Sequence, residues 1–275
     1  GIAVGAEALT LNSNASGTWN GYTGAALRSI SGNNSWAGNI TLSQATTIAT
    51  DSGSNLTLSG NFSGANNLTV NSTGNTTISG IIGTSTGTLT KNGAGTLLLT
   101  ANNTYTGATT VNAGTLEISS TGLLGGGSYA GNIANSGTLL LGSNSNQTLG
   151  GVISGAGALT KNGTGSLILS GANTYTGNTT VNSGTLLLSG AGKVGPGSLS
   201  VASGATFALN SWSQTVAGLS GAGNITWGQS ASTVSDGSAL ISSAKNYTQK
   251  LDFGWGGGAT VNGVAFNSVA TSGTG

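Results

Sequence analysis

The chain has no cysteine, no histidine and no methionine, a single proline, and only six basic and five acidic side chains in 275 residues. Each absence closes off a chemistry. Without histidine there is no Ser-His-Asp triad, and without cysteine there is no thiol nucleophile, disulfide framework or zinc site of the usual nitrogen and sulfur type. A net charge of +1 leaves no basic patch for nucleic acid and no polybasic anchor for a membrane surface. No apolar run approaches the ~18 residues of a membrane helix, and no charged segment followed by an apolar stretch opens the chain. The expected cofactors are none, and so are the expected catalytic and metal-binding residues.

What is abundant is small: 51 glycines, with Ser, Thr, Asn and Ala making up most of the rest. Such a composition without periodicity belongs to disordered chains, but this chain is periodic. Short apolar strings recur between turns of Gly, Asn, Ser and Thr: Leu56-Thr57-Leu58, Leu68-Thr69-Val70, Leu97-Leu98-Leu99, Leu116-Glu117-Ile118, Leu139-Leu140-Leu141, Leu167-Ile168-Leu169 and Leu186-Leu187-Leu188. Their period is 2, which predicts strands, and nothing in the chain has the 3.6 period of a helix.

A longer repeat contains the short one. Residues 89–119 (LTKNGAGTLLLTANNTYTGATTVNAGTLEIS) and 159–189 (LTKNGTGSLILSGANTYTGNTTVNSGTLLLS) are identical at 21 of 31 positions, at a constant offset of 70. Internal repetition of short strands is the mark of a solenoid. The expected fold is all-β: a single right-handed parallel β-helix spanning 1–275, with about three short strands per coil. Residues 1–36 and 229–275 are atypical ends, and 37–228 are the regular repeats. Three coils of ~23 residues per repeat give roughly 12 coils and a rod of ~55–60 Å.

Glu117 sets the parity of the strands, because a lone carboxylate is very costly to bury. It points outward, so Leu97, Leu99, Leu116, Ile118, Leu167, Leu169, Leu186 and Leu188 point inward, as do Val111 and Val181. The same parity turns Leu98, Leu140, Ile168 and Leu187 outward, as an apolar stripe covered by a turn or by a neighbouring rod. Lys91 and Lys161 are expected as exposed charges on one equivalent turn. Tyr105 and Tyr175 are expected to fold a turn back over the coil. Asn at equivalent turns is expected to stack into hydrogen-bonded ladders.

The strings GTLLLTANNTYTGATTVNAGTLEIS and GSLILSGANTYTGNTTVNSGTLLLS resemble the autotransporter-associated β-strand repeat of bacterial passenger domains and very large surface proteins. The resemblance implies a right-handed parallel β-helix displayed outside the cell, without implying one activity. The chain lacks a C-terminal membrane-barrel sequence, so it reads as a passenger, a segment of a larger protein or a free secreted subunit.

Candidate chemistry is sparse. Glu7, Asp51, Glu117, Asp236 and Asp252 are at least 16 residues apart, unlike the clustered carboxylates of glycan-cleaving β-helices. Gly125-Gly126-Gly127 and 254–258 lack the Lys-Ser/Thr of a phosphate-binding loop. The many Asn-x-Ser/Thr triplets follow from composition. The five tryptophans avoid the regular stretch. Trp19, Trp36, Trp212, Trp227 and Trp255, with Ile2, Val4, Val264 and Phe266, are the candidate subunit-contact residues at two open coil ends. The resulting expectation is a non-catalytic structural rod, extracellular or on a bacterial surface, that self-associates head to tail into a fibre. The alternative is an adhesin or passenger module that binds surface glycans. Neither reading involves nucleic acid or membrane insertion.

Overall fold

The computed structural model describes residues 1–12, 18–19, 22–210 and 214–226, with short strands at 234–236, 251–252, 259–261 and 264–266. Side chains are described for 1–12, 24–210 and 214–226. The chain winds into a parallel β-solenoid whose strands stack on three faces. The first face carries Leu27–Ser29, Thr46–Thr50, Leu68–Ser72, Leu89–Asn92, Thr109–Val111, Ile133–Asn135 and Ile153–Ser154. The second is an uninterrupted eleven-stranded sheet from Ala3–Val4 to Leu219–Ser220. The third begins with Leu9–Leu11, Ile40–Leu42 and Phe62–Ser63, and resumes as a seven-stranded sheet from Ser128–Tyr129 to Leu251–Asp252. Among the described residues the only helical element is the 3-10 turn Gly125–Gly127.

The inward column of each strand is apolar and closes a continuous core. Leu97, Leu99, Leu116, Ile118, Leu167, Leu169, Leu186 and Leu188 are all buried, as are Val111 and Val181. Leu167 stacks in register between Gln147 and Leu186. Leu167→Ala is expected to cost ~2–5 kcal/mol, measured as a lowered urea midpoint.

Two expectations about the winding are corrected. Leu139, Leu159, Thr179, Leu199 and Leu219 lie in register, so a coil takes 20 residues rather than 23. The eleven strands of the second face make a stack of ~48 Å at ~4.8 Å per step, shorter than the expected rod. The 70-residue repeat therefore spans three coils plus one face. Leu89–Asn92 lies on the first face, while its equivalent Ala158–Lys161 lies on the second. Thr96–Leu99 lies on the second face and its equivalent Ser166–Leu169 on the third.

This advance splits the expected outward stripe. Leu98 and Leu140 lie on the second face, on either side of Glu117. Ile168 and Leu187 are neighbours on the third. All four are half-buried between buried strand neighbours. They do not form one stripe, because equivalent residues of successive repeats are turned by one face.

Where the Asn-Thr-Tyr-Thr-Gly turn interrupts the backbone ladder, side-chain amides replace it. Buried Asn173 accepts the Ile153 N–H from the preceding coil at 2.8 Å and donates Nδ2 to the Lys193 carbonyl of the next at 2.9 Å. Gln214 Oε1 then accepts the Val194 N–H at 2.7 Å. Asn103 and Gln147 do the same in the first repeat, but on the third face. A side-chain amide carries the donor and acceptor of a peptide group, so the ladder continues without a strand. Asn173→Leu leaves a buried N–H and C=O unpaired, and an expected loss of ~2–5 kcal/mol in chemical denaturation follows from ~1–3 kcal/mol for each.

Tyr105 and Tyr175 insert into the core instead of lying over the outer surface; both are fully buried. Their hydroxyls pair with Thr109 Oγ1 at 2.8 Å and Thr179 Oγ1 at 2.7 Å. Tyr129 joins the first pair, its ring edge-on to Tyr105 at 5.6 Å. The tyrosines therefore cannot be the cover of the outward apolar residues.

Candidate functional site

The acidic residues are not brought together. Asp51 is taken up by Arg28, whose Nε and Nη2 donate to its two carboxylate oxygens at 3.0 and 2.5 Å. Glu117 stands between Leu98 and Leu140 on the outer second face, and Glu7 is exposed near the N-terminal end. The side chains of Asp236 and Asp252 lie outside the described residues. Among the described residues no three His, Cys, Asp or Glu side chains converge.

Lys91 and Lys161 are corrected most. Expected as exposed charges on one turn, they are buried, at 0% and 2% exposure, on different faces. Lys91 Nζ donates to the carbonyls of Asn92 (2.9 Å), Gly93 (2.6 Å) and Ala113 (3.2 Å), which ties its own corner to that of the next coil. Lys161 Nζ donates to Gly163 and to Ser183 in the same way. On the outer side of these corners Asn112 donates to Asn92, and Asn182 to Asn162, each at 2.7 Å. The corner is thus held from both sides. The signal was present in Leu89-Thr90-Lys91: the period of 2 that sends Leu89 inward sends Lys91 inward too.

Asparagine ladders run along the outside. Asn39 and Asn61 accept the backbone N–H of Asn61 and Ile81 one coil on, and Asn67 and Asn178 accept those of Thr88 and Ser198. An outward Asn at a strand start, with an outward Thr or Ser two residues later, writes Asn-x-Ser/Thr. The solenoid itself therefore produces many of these triplets.

The one concave feature with polar and apolar character is at the N-terminal end. Ala3–Val4 pairs with Asn33–Trp36, Leu9–Leu11 with Ile40–Leu42, and Leu27–Ser29 with Thr46–Thr50. Between the first and second faces lies a cleft of about 470 Å³, walled by Ile2, Val4, Leu27, Ile30, Trp36 and Leu56. Ile2 is 70% exposed and Ile30 52%. Asn34 fastens the rim: it accepts the Ile2 N–H at 2.8 Å and donates to Ser29 Oγ at 2.8 Å and Ser31 O at 2.9 Å. The Trp36 indole N–H is buried without a hydrogen-bond partner. Of the candidate contact residues, Ile2, Val4 and Trp36 meet here. Trp212, Trp227 and Trp255 lie outside the described residues, as do the side chains of Trp19, Val264 and Phe266.

Comparison with known proteins places the repeats in a family. The passenger-associated-transport-repeat matches residues 89–118 and 159–188. The chain carries two passenger-associated-transport repeats. Both matches begin at the Leu-Thr-Lys string of the buried corner lysine and run through the inserted tyrosine. The chain is also similar to the Adhesin BmaC autotransporter of Brucella suis biovar 1 (strain 1330), at 37% identity over 98 residues. That match covers 34% of this chain and 3% of the relative. No solved structure matches.

Proposed function

We propose that this chain is a non-catalytic rod of a bacterial surface, an extracellular passenger-type module that stacks end to end through its solenoid ends. The observation that carries the reading is the second face: eleven parallel strands in one uninterrupted sheet over a core with a buried apolar column. Such a body holds its length and presents a regular exterior, which suits a spacer or fibre element. The passenger repeats support placement outside the cell. The scattered carboxylates and the buried corner lysines support the absence of catalysis, since none of these groups lies within reach of another that would activate it.

The second reading is an adhesin module, favoured by the name of the relative. In that reading the polar exterior of Asn, Ser and Thr grips glycans. Every Tyr and Phe among the described side chains is buried, so stacking of sugar rings on these aromatics plays no part on the body of the rod. Electron microscopy of the purified 275-residue chain separates the two. End-joined filaments are the expected result, and isolated rods of ~50 Å at high concentration would overturn stacking. Specific hits on a glycan array would favour the adhesin.

A further inference from the structure

We propose that the cleft at the Ala3–Val4 end is a socket for a second copy of this chain, in which Leu219–Ser220 of one copy adds as the next parallel strand beside Ala3–Val4 of another. This rests on the end-to-end stacking reading and gives it a register.

The first support is the continuity of the columns. In the second face each residue stacks on its counterpart one coil away. The outward column that starts at Ala3 passes through Ser35 and Thr57 and ends, among the described residues, at Ser200 and Ser220. The parallel inward column starts at Ile2, beside Asn34 and Leu56, and ends at Leu199 and Leu219. Extending the sheet by one strand with the same spacing brings Leu219 onto Ile2 and Ser220 onto Ala3. The second support is exposure. Ile2 has the parity of a core residue and is 70% exposed, so the apolar column stops with its last member uncovered. A parallel strand with an inward apolar residue is the layer that the other members of this column have, and Leu219, half-buried at the other end of the same sheet, supplies it. The third support is polar. The Trp36 indole N–H in the cleft is buried and unpaired, at a cost of ~1–3 kcal/mol, and an incoming coil brings carbonyl acceptors. Joining unlike ends gives a heterologous contact that does not close, hence a linear assembly.

Because the chain has no cysteine, the register is testable without background. Ala3→Cys and Ser220→Cys, both at exposed outward positions, are combined in one variant and treated with a short thiol-to-thiol cross-linker. Within one copy the two sites lie ~48 Å apart, so only bonds between copies form. The expected result is a ladder of multimers on a denaturing gel, which Ile2→Glu abolishes while leaving the thermal unfolding of the rod unchanged. Pairing Ala3→Cys with Thr226→Cys, on the third face, is expected to give no ladder. Filaments in the microscope without a ladder from the Ala3–Ser220 pair would overturn the socket and leave stacking intact. Dimers from Ala3→Cys alone, with no higher multimers, would overturn it in favour of head-to-head contact. Absence of filaments would remove the stacking reading itself.

Discussion

Gly80→Ala is expected to prevent stable folding or to cost at least as much as the upper end of the ~1–3 kcal/mol range for overpacking. Gly80 lies at the corner between the second and third faces, above Gly60, which lies above Gly38. A Cβ on Gly80 would fall far inside contact distance of the Gly60 carbonyl, and one on Gly60 would do the same to Gly38. The obstruction is backbone, so no rotamer relieves it. Moving the corner outward would lengthen the Gly80–Leu58 and Ser79–Leu58 hydrogen bonds that join the coils. Ser79→Ala, one residue away and exposed, is the control, with a change within about ±0.5 kcal/mol. Urea denaturation of the two variants tests the claim. A Gly80→Ala protein as stable as the parent would mean that corner packing does not set the coil spacing.

The contrast between those neighbours shows what a sequence of this kind makes legible. Which strings are strands, and which side chains point inward, follow from a period of 2 anchored by Glu117, because one carboxylate constrains parity on its own strand and on every equivalent strand. Lys91 was misplaced by the same physics used too quickly. A cation is assumed to seek water, yet backbone carbonyls at the Asn-Gly corner offer it acceptors in the core. Its parity with Leu89 was the better guide. Coil length was hidden for another reason. The 70-residue identity reports where the sequence repeats, whereas the ladder repeats every 20 residues. Only the strand register reveals that one repeat advances by three coils and a face.

That advance has a functional consequence. A feature written once per repeat, such as the Asn-Thr-Tyr-Thr-Gly turn, comes out on the third face in one repeat and on the first in the next. Two repeats therefore do not build a two-copy binding surface on a single face. They build a body of even cross-section, which is what a rod requires. The end cleft was legible only in part. The alternation of Ile2 and Val4 marked an unfinished strand, but the unpaired indole of Trp36 depends on how the first coil closes, which no local pattern encodes.

Stability is expected to rise with pH between about 8 and 10, opposite to the behaviour of a protein held by exposed ion pairs. Burial lowers the ammonium groups of Lys91 and Lys161 from the ordinary 10.5 to about 8. No charged group faces either: Val70 and Val111 flank Lys91 in register, and Leu141 and Val181 flank Lys161. Below pH 8 both states carry the protons, and the folded state bears the full cost of the buried charges. Between 8 and 10.5 the folded lysines are neutral while those of the unfolded chain remain protonated. The unfolded state then binds more protons, so unfolding becomes harder as pH rises, by up to ~1.4 kcal/mol per pH unit for each lysine. The neutral amine still donates to the corner carbonyls, so deprotonation does not open the corner. The rise is expected to end near pH 10. Burial holds the hydroxyls of Tyr105, Tyr129 and Tyr175 above their ordinary range, and ionisation of tyrosine in the unfolded chain then draws the equilibrium the other way. Urea midpoints at pH 7, 8, 9 and 10 test this. The double variant Lys91→Met and Lys161→Met is expected to flatten the rise and, with the Gly93 and Gly163 carbonyls left without the ammonium, to be less stable than the parent at pH 10. A parent profile that is flat from 8 to 10 would mean that the carbonyl cages offset the burial of the charge in full.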